Sequence, residues 1–185
     1  MSQQKAPRVT LHDKTFELSI PYAEIDKAIQ NVADQINNDY KDKQTPLFLG
    51  VLNGAFMFMS ELMQKMEIPS EISFVKLSSY SGVASTGKVQ ELIGLRNNIE
   101  GRHVIIVEDV VDTGESMDHL LRSLEGHKPA SVAIATLLFK PTKFTKTYEV
   151  KYRAMDIPDD FIVGFGLDYD ELGRNLKDIY TIVNE

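Results

Sequence analysis

Val104-Ile105-Ile106-Val107-Glu108-Asp109-Val110-Val111-Asp112-Thr113-Gly114-Glu115-Ser116-Met117 is the run whose reading decides the fold of this chain. Its first four residues, Val104 to Val107, are apolar without polar alternation, as in a strand covered on both faces in the parallel sheet of an α/β protein. Glu108 and Asp109 stand where that strand is expected to emerge. Asp112, Thr113, Gly114, Glu115 and Ser116 then form a turn around a glycine, and Met117, Leu120, Leu121 and Leu124 follow at helical spacing. Strand, acidic pair, turn and helix adjoin without a gap.

A helix N-terminus leaves backbone N–H groups unpaired and carries partial positive charge. It can therefore bind a phosphate monoester through amides and hydroxyls with no basic side chain. Thr113 and Ser116 supply hydroxyls, and Gly114 permits close approach. Two adjacent carboxylates at a strand end are costly to bury unless paired, and vicinal ribose hydroxyls, alone or with Mg²⁺, are suitable partners. The run reads as a site for a sugar phosphate, with phosphate and ribose side by side. A solvated strand end followed by a well-capped helix is the plainer alternative for each fragment taken alone. Glu115 belongs in such a loop only if its side chain points to solvent and its N–H faces inward, because a carboxylate would repel the phosphate dianion.

Outward from this run, apolar strands alternate with helical patterns. Phe16, Leu18 and Ile20 alternate as in a half-buried strand, and Pro21 opens a helix with Ile25, Ile29, Val32 and Ile36 on one face. Leu47 to Leu52 reads as a buried strand, Phe56 to Met66 as a helix, Ile72 to Leu77 as a further strand and Ser131 to Leu138 as another. This βαβ rhythm predicts a parallel twisted sheet flanked by helices. The Ser-, Gly- and Thr-rich stretch 78–90 reads as a mobile loop, and Lys140 to Asp160, with Pro141 and Pro158, as a small hood or flap. There is no internal repeat or linker, so residues 1–185 are expected to form a single domain.

Composition narrows the function further. A net charge of −7, with 20 Lys and Arg against 27 Asp and Glu, argues against broad nucleic-acid binding. The absence of cysteine removes disulfide and thiolate-zinc frameworks. No signal-peptide core or membrane-length apolar stretch is seen, so a soluble, cytoplasmic protein without membrane contact is expected. No G-x-G-x-x-G follows a strand, and His12, His103, His119 and His127 lack paired metal-ligand spacing.

The acidic-pair and DTGES run resembles the signature of type I phosphoribosyltransferases, and from about Leu47 to the C-terminus the chain resembles their 6-oxopurine branch, the hypoxanthine-guanine phosphoribosyltransferases. The resemblance implies the type I phosphoribosyltransferase fold and a purine-salvage enzyme. It implies phosphoribosyl pyrophosphate and 6-oxopurine bases as substrates, Mg²⁺ as cofactor, and a homodimer or homotetramer. Carried over residue by residue, it gives Leu52, Asn53 and Gly54 to a pyrophosphate loop with a cis peptide between Leu52 and Asn53. Many relatives have a basic residue at the position of Asn53. Ser79 and Tyr80 fall on a lid that shields an oxocarbenium-like centre from water. Lys140 donates to the exocyclic oxygen at C6 of the purine, which disfavours the amino group of adenine.

Phe161 stacks on the purine, Ile162 reads its edge through the backbone, Asp168 reaches the metal and Arg174 meets pyrophosphate. Glu108 and Asp109 hold ribose and metal, residues Asp112 to Ser116 hold the 5-phosphate, and Asp112 also lies near N7 of the base. There it is expected to accept the proton shed by the attacking purine. A regulatory protein that keeps this fold to sense nucleotides while binding RNA or DNA would want a basic face or an added domain, and neither is visible.

Overall fold

The computed structural model describes residues 6–78, 90–95 and 98–183. Its central sheet has six strands: β3 (Leu47–Leu52), β4 (Glu71–Ser78), β5 (Gln90–Ile93), β6 (His103–Val111), β7 (Ser131–Phe139) and β8 (Tyr152–Asp156). They lie in the order β5-β4-β3-β6-β7-β8; the five from β4 to β8 in that order run parallel, and β5 is an antiparallel edge. From β3 the chain winds one way through α2 (Phe56–Gln64) to β4 and later returns to β6 on the other flank. It then winds the opposite way through α3 (Glu115–Glu125) to β7. Right-handed crossovers in opposite directions set the two helices on opposite faces.

The apolar run at the centre of the sheet explains both layers. Along β6, Ile105 and Val107 pack with α1 (Tyr22–Tyr40) and α2, while Val104 and Ile106 pack with Met117, Leu120 and Leu124 of α3. All four strand residues are fully buried, and each such side chain contributes roughly 1.5–3 kcal/mol of transfer free energy. In α1, Ile25, Ile29, Val32 and Ile36 form the buried stripe read from the sequence. Among the described residues no helix is long and apolar enough to cross a membrane.

Two expectations need correction. The strand beginning at Val104 does not end at Val107 but continues to Val111, so Glu108 and Asp109 lie within it. Val110 and Val111 pair with Leu138 and Phe139 of β7, and that pairing extends the strand. The hood is not built from Lys140 to Asp160. It is an antiparallel sheet in the order β1-β2-β10-β9, from β1 (Arg8–Leu11), β2 (Lys14–Ile20), β9 (Ile162–Val163) and β10 (Ile179–Ile182). Part of the segment assigned to the hood is instead β8, an edge strand of the main sheet. Most of the stretch read as a mobile loop, with Ser79 and Tyr80, lies outside the described residues.

The edge strand β8 is tied to α1. Tyr152 donates to Asp39 Oδ2 at 2.7 Å, and Lys151 Nζ lies 2.6 Å from the same oxygen. The Lys151 and Tyr152 hydrogen bonds hold the Asp39 carboxyl below its usual range. Its contribution to stability is therefore present above the unfolded carboxyl pKa and lost as pH falls through the folded one. Asp39→Asn should cost about 1–2 kcal/mol at pH 7, and the gap should be smaller at about pH 3, below the unfolded carboxyl pKa. Urea unfolding at the two pH values checks this, and a gap unchanged by acid would remove the charge from the account.

Candidate active site

The reversal of winding between β3 and β6 places their carboxyl ends side by side, the position where open α/β sheets collect ligands. After β3 the chain turns through Leu52, Asn53 and Gly54, with the Leu52–Asn53 peptide cis as expected. Gly54 lies so close to β6 that a Cβ built on it would overlap the Asp109 carboxylate. On its other side the Gly54 carbonyl meets Gly166, where a Cβ would also collide. Three segments far apart in sequence, two loops and the strand β6, thus converge on one glycine.

The acidic pair is buried unevenly. Glu108 Oε2 is buried with no hydrogen-bond partner among the described residues. Burial first, and the Asp109 charge second, push the Glu108 carboxyl well above the usual carboxylate range. Asp109 Oδ1 accepts the N–H of Val110 at 2.8 Å. Beyond the strand, Gly114 adopts φ +87° and caps α3, whose first residue is Glu115. The first-turn amides and the acidic pair border one cavity of about 300 Å³ that runs from Glu108 to Met117. The Glu115 side chain turns outward and pairs with Lys146 at 2.6 Å. The orientation is the one its place in the loop requires.

A neighbouring cavity of about 270 Å³ brings together Asp109, Asp112, Lys140, Phe161, Ile162 and Asp168. Lys140 is 8% exposed, with its ammonium held at the rim by the Asp160 carbonyl at 2.9 Å and Asp159 Oδ1 at 3.3 Å. Asp112 Oδ2 lies 3.7 Å from Lys140 and 3.6 Å from Lys143, while its Oδ1 is buried without a partner among the described residues. Phe161 is 47% exposed and makes an edge contact with Tyr169 at 5.8 Å. Asp168 and Arg174 are joined at 2.8 Å, Arg174 also donates to the Gly166 carbonyl, and its buried Nε has no partner among the described residues.

Glu108, Asp112 and Arg174 were all singled out from sequence, and they carry the buried side-chain atoms without partners among the described residues. Buried polar atoms are normally satisfied, so each of these atoms calls for a partner beyond the protein, whether a water, an ion or a ligand. Sequence reasoning missed Lys143, Asp159 and Asp160, which surround Lys140 and Asp112, and Lys146 and Tyr148, which contact Glu115 and Gly114. Irregular segments carry no periodic signal, and only the pairing of Lys143 with Asp159 at 2.8 Å shows that the two meet.

A profile of the phosphoribosyl transferase domain matches residues 21–170. This chain belongs to the hypoxanthine-guanine branch of the phosphoribosyltransferase family. It is 39% identical over 171 residues to the hypoxanthine phosphoribosyltransferase of Salmonella typhimurium, covering 91% of this chain and 96% of that one. It is 41% identical over 165 residues to the hypoxanthine-guanine phosphoribosyltransferase of Mycobacterium bovis, covering 86% and 82% of the two chains. The crystal structure of a hypoxanthine-guanine phosphoribosyltransferase from Bacillus anthracis superposes with a TM-score of 0.84 at 33% identity, covering 91% of this chain and 97% of that one. The chain is therefore a glycosyltransferase enzyme with the type I phosphoribosyltransferase fold.

Gly54→Ala should force the Asp109 carboxylate out of place. Misplacement of about 1 Å is expected to lower kcat/KM for the sugar donor about 100-fold. Steady-state kinetics checks this, and full activity in the Gly54→Ala enzyme would mean that the approach of Asp109 to this loop is dispensable.

Proposed function

We propose that this phosphoribosyltransferase moves the ribose 5-phosphate of phosphoribosyl pyrophosphate onto hypoxanthine, and secondarily guanine, releasing pyrophosphate and the nucleoside 5′-monophosphate. The observation that carries this reading is the cavity shared by Lys140, Asp112, Phe161 and Ile162, which abuts the acidic pair and the phosphate loop. A buried ammonium favours a carbonyl acceptor at C6 and leaves the amino group of adenine, a donor, facing donors. Phe161 offers an exposed face for stacking, and Ile162 presents backbone to the edge of the base.

Chemistry at this site is proton transfer beside a developing cation. As ribose C1 parts from pyrophosphate, positive charge grows on the ring, and the attacking purine must shed a proton. Asp112 is the group assigned to accept it, with Lys140 at 3.7 Å and Lys143 at 3.6 Å from its Oδ2. Glu108 and Asp109 are assigned to the vicinal ribose hydroxyls beside the developing charge on the ring. The amides and hydroxyls of Asp112 to Ser116 are assigned to the 5-phosphate, and Leu52, Asn53, Gly54 and Arg174 to pyrophosphate.

Acidic oxygens at Glu108, Asp109 and Asp168 are the chemistry that suits Mg²⁺. No three acidic or histidine side chains among the described residues lie close enough to form a site of their own. The fit is therefore to an ion held jointly by these residues and substrate oxygens. When bound, Mg²⁺ would neutralise the leaving pyrophosphate. Exposed Phe56, Ile72 and Phe74 supply apolar surface for the expected homodimer or homotetramer. Purine salvage of this kind suits a cytoplasmic enzyme.

Product formation from the sugar donor with hypoxanthine, guanine, xanthine and adenine tests the reading. Hypoxanthine is expected to lead; adenine as the best substrate would overturn the role of Lys140. Asp112→Asn should lower kcat about 10²–10⁴-fold while the affinity for nucleoside monophosphate stays within a few-fold. Unchanged turnover in this variant would remove Asp112 from the chemistry.

A further inference from the structure

Behind the phosphate loop, on the side away from the cavity, runs the segment Pro141–Val150. It leaves the end of β7 immediately after Lys140 and crosses the outer face of Thr113 and Gly114. An aromatic chain anchors it: Phe139 of β7 meets Phe144 at 5.1 Å, and Phe144 meets Tyr148 at 5.3 Å, both edge to face. From this strap Tyr148 donates to the Gly114 carbonyl at 2.7 Å. Thr145 directs its N–H and its hydroxyl at the Thr113 carbonyl, each at 3.4 Å. The fit leaves no space, since a Cβ on Gly114 would lie 2.6 Å from the Tyr148 hydroxyl, 2.8 Å from Lys146 Cγ and 2.8 Å from Phe144 Cε2.

Peptide planarity converts these contacts into an orientation. In a trans peptide the N–H points opposite to the carbonyl of the preceding residue. Holding the Thr113 and Gly114 carbonyls outward against the strap therefore turns the N–H of Gly114 inward and that of Glu115 toward the Thr113 hydroxyl. The Glu115 N–H donates to that hydroxyl at 3.4 Å, a long contact that a bound phosphate oxygen can replace. Successive amides facing one concavity make an anion-binding nest. The Gly114 carbonyl also accepts the first helical N–H, from Asp118, at 2.9 Å, so Tyr148 occupies its second lone pair. Burial first, and the charges of Asp118 and Glu115 after it, push the Tyr148 hydroxyl up to about 12. It remains a donor throughout the neutral range.

Lys146 adds a charge correction. Glu115 occupies the first position of the helix, where its carboxylate would oppose a bound phosphate. Lys146 Nζ sits 2.6 Å from Glu115 Oε1 and 3.9 Å from Asp118 Oδ2. The strap thus turns the loop's amides inward and offsets the acidic side chains that the loop carries.

We infer that Tyr148 and Lys146 are positioning residues for the 5-phosphate: Tyr148 by fixing the Gly114–Glu115 peptide, Lys146 by neutralising Glu115. Neither needs to touch the substrate. The inference rests on the reading of Asp112 to Ser116 as the phosphate loop, and the test separates the two. Binding of inosine 5′-monophosphate and of inosine is measured by calorimetry on the wild-type enzyme, Tyr148→Phe, Lys146→Met and Lys146→Met with Glu115→Gln. A wild-type enzyme that binds the two ligands equally would refute the phosphate-loop reading itself. With that preference present, each single variant should weaken the monophosphate about tenfold and leave inosine within twofold. Adding Glu115→Gln to Lys146→Met should restore most of the loss.

The kinetic counterpart is a tenfold rise in KM for phosphoribosyl pyrophosphate with kcat and KM for hypoxanthine within twofold. Equal weakening of both ligands would assign the strap a purely structural role and overturn the inference. So would unchanged affinity for the monophosphate, or a Glu115→Gln double variant no better than Lys146→Met alone.

Discussion

The contact between Gly54 and the Asp109 carboxylate is the constraint on which the other parts of the site depend. β3 and β6 are hydrogen-bonded neighbours at the point where the winding of the sheet reverses, so both chains leave the sheet into the same crevice. A side chain at position 54 would separate them. With glycine there, the turn after β3, the acidic pair and the Gly164–Asp168 loop share one wall. The two cavities then share Asp109 in their walls, as the proposed binding of one nucleotide across both requires.

Charge is managed locally rather than globally. A chain with a net charge of −7 repels anionic substrates at long range. Within the site, cations are placed where acids would otherwise interfere: Lys146 on Glu115, Arg174 on Asp168, and Lys140 with Lys143 around Asp112. The acidic pair has no ion pair among the described residues, and Glu108 is the more deeply buried case. Its buried Oε2 has no cation or donor among the described residues, and its carboxyl is correspondingly raised. A ribose hydroxyl, which both donates and accepts, can pair with that carboxyl in either protonation state.

Legibility from sequence followed how each feature is encoded. The core strands and α1 were readable because burial on two faces or one leaves a continuous or periodic apolar signature, as in Val104 to Val107 and Ile25 to Ile36. The turn from β6 into α3 was readable because strand, glycine and helix start are contiguous. The extent of β6 was not, because Glu108 and Asp109 look like an exit from the sheet, whereas pairing of Val110 and Val111 with β7 keeps the strand going. The hood was misplaced for a related reason. Its four short strands come from both ends of the chain, and antiparallel pairing between Phe16 and Ile182 leaves no local trace. Lys143 and Tyr148 act across folds of irregular backbone, where spacing carries no information.

The strap gives these separate contacts a common mechanical origin. Lys140, proposed to read the base, immediately precedes the strap that carries Tyr148, and the Phe139–Phe144–Tyr148 chain of rings packs that strap against β7. Lys140 and the turn at Gly114 are thus linked through one element anchored to the core strand β7. Such an arrangement suits a reaction that must hold C1 of the ribose between two fixed ends while the bond to pyrophosphate lengthens and the bond to the purine forms. Displacement along that line tolerates little slack, because orientation of the reacting atoms supplies a large share of the rate. A strap that is short and aromatic, with its head buried beside Lys140, gives the site this stiffness without occupying space the substrate needs.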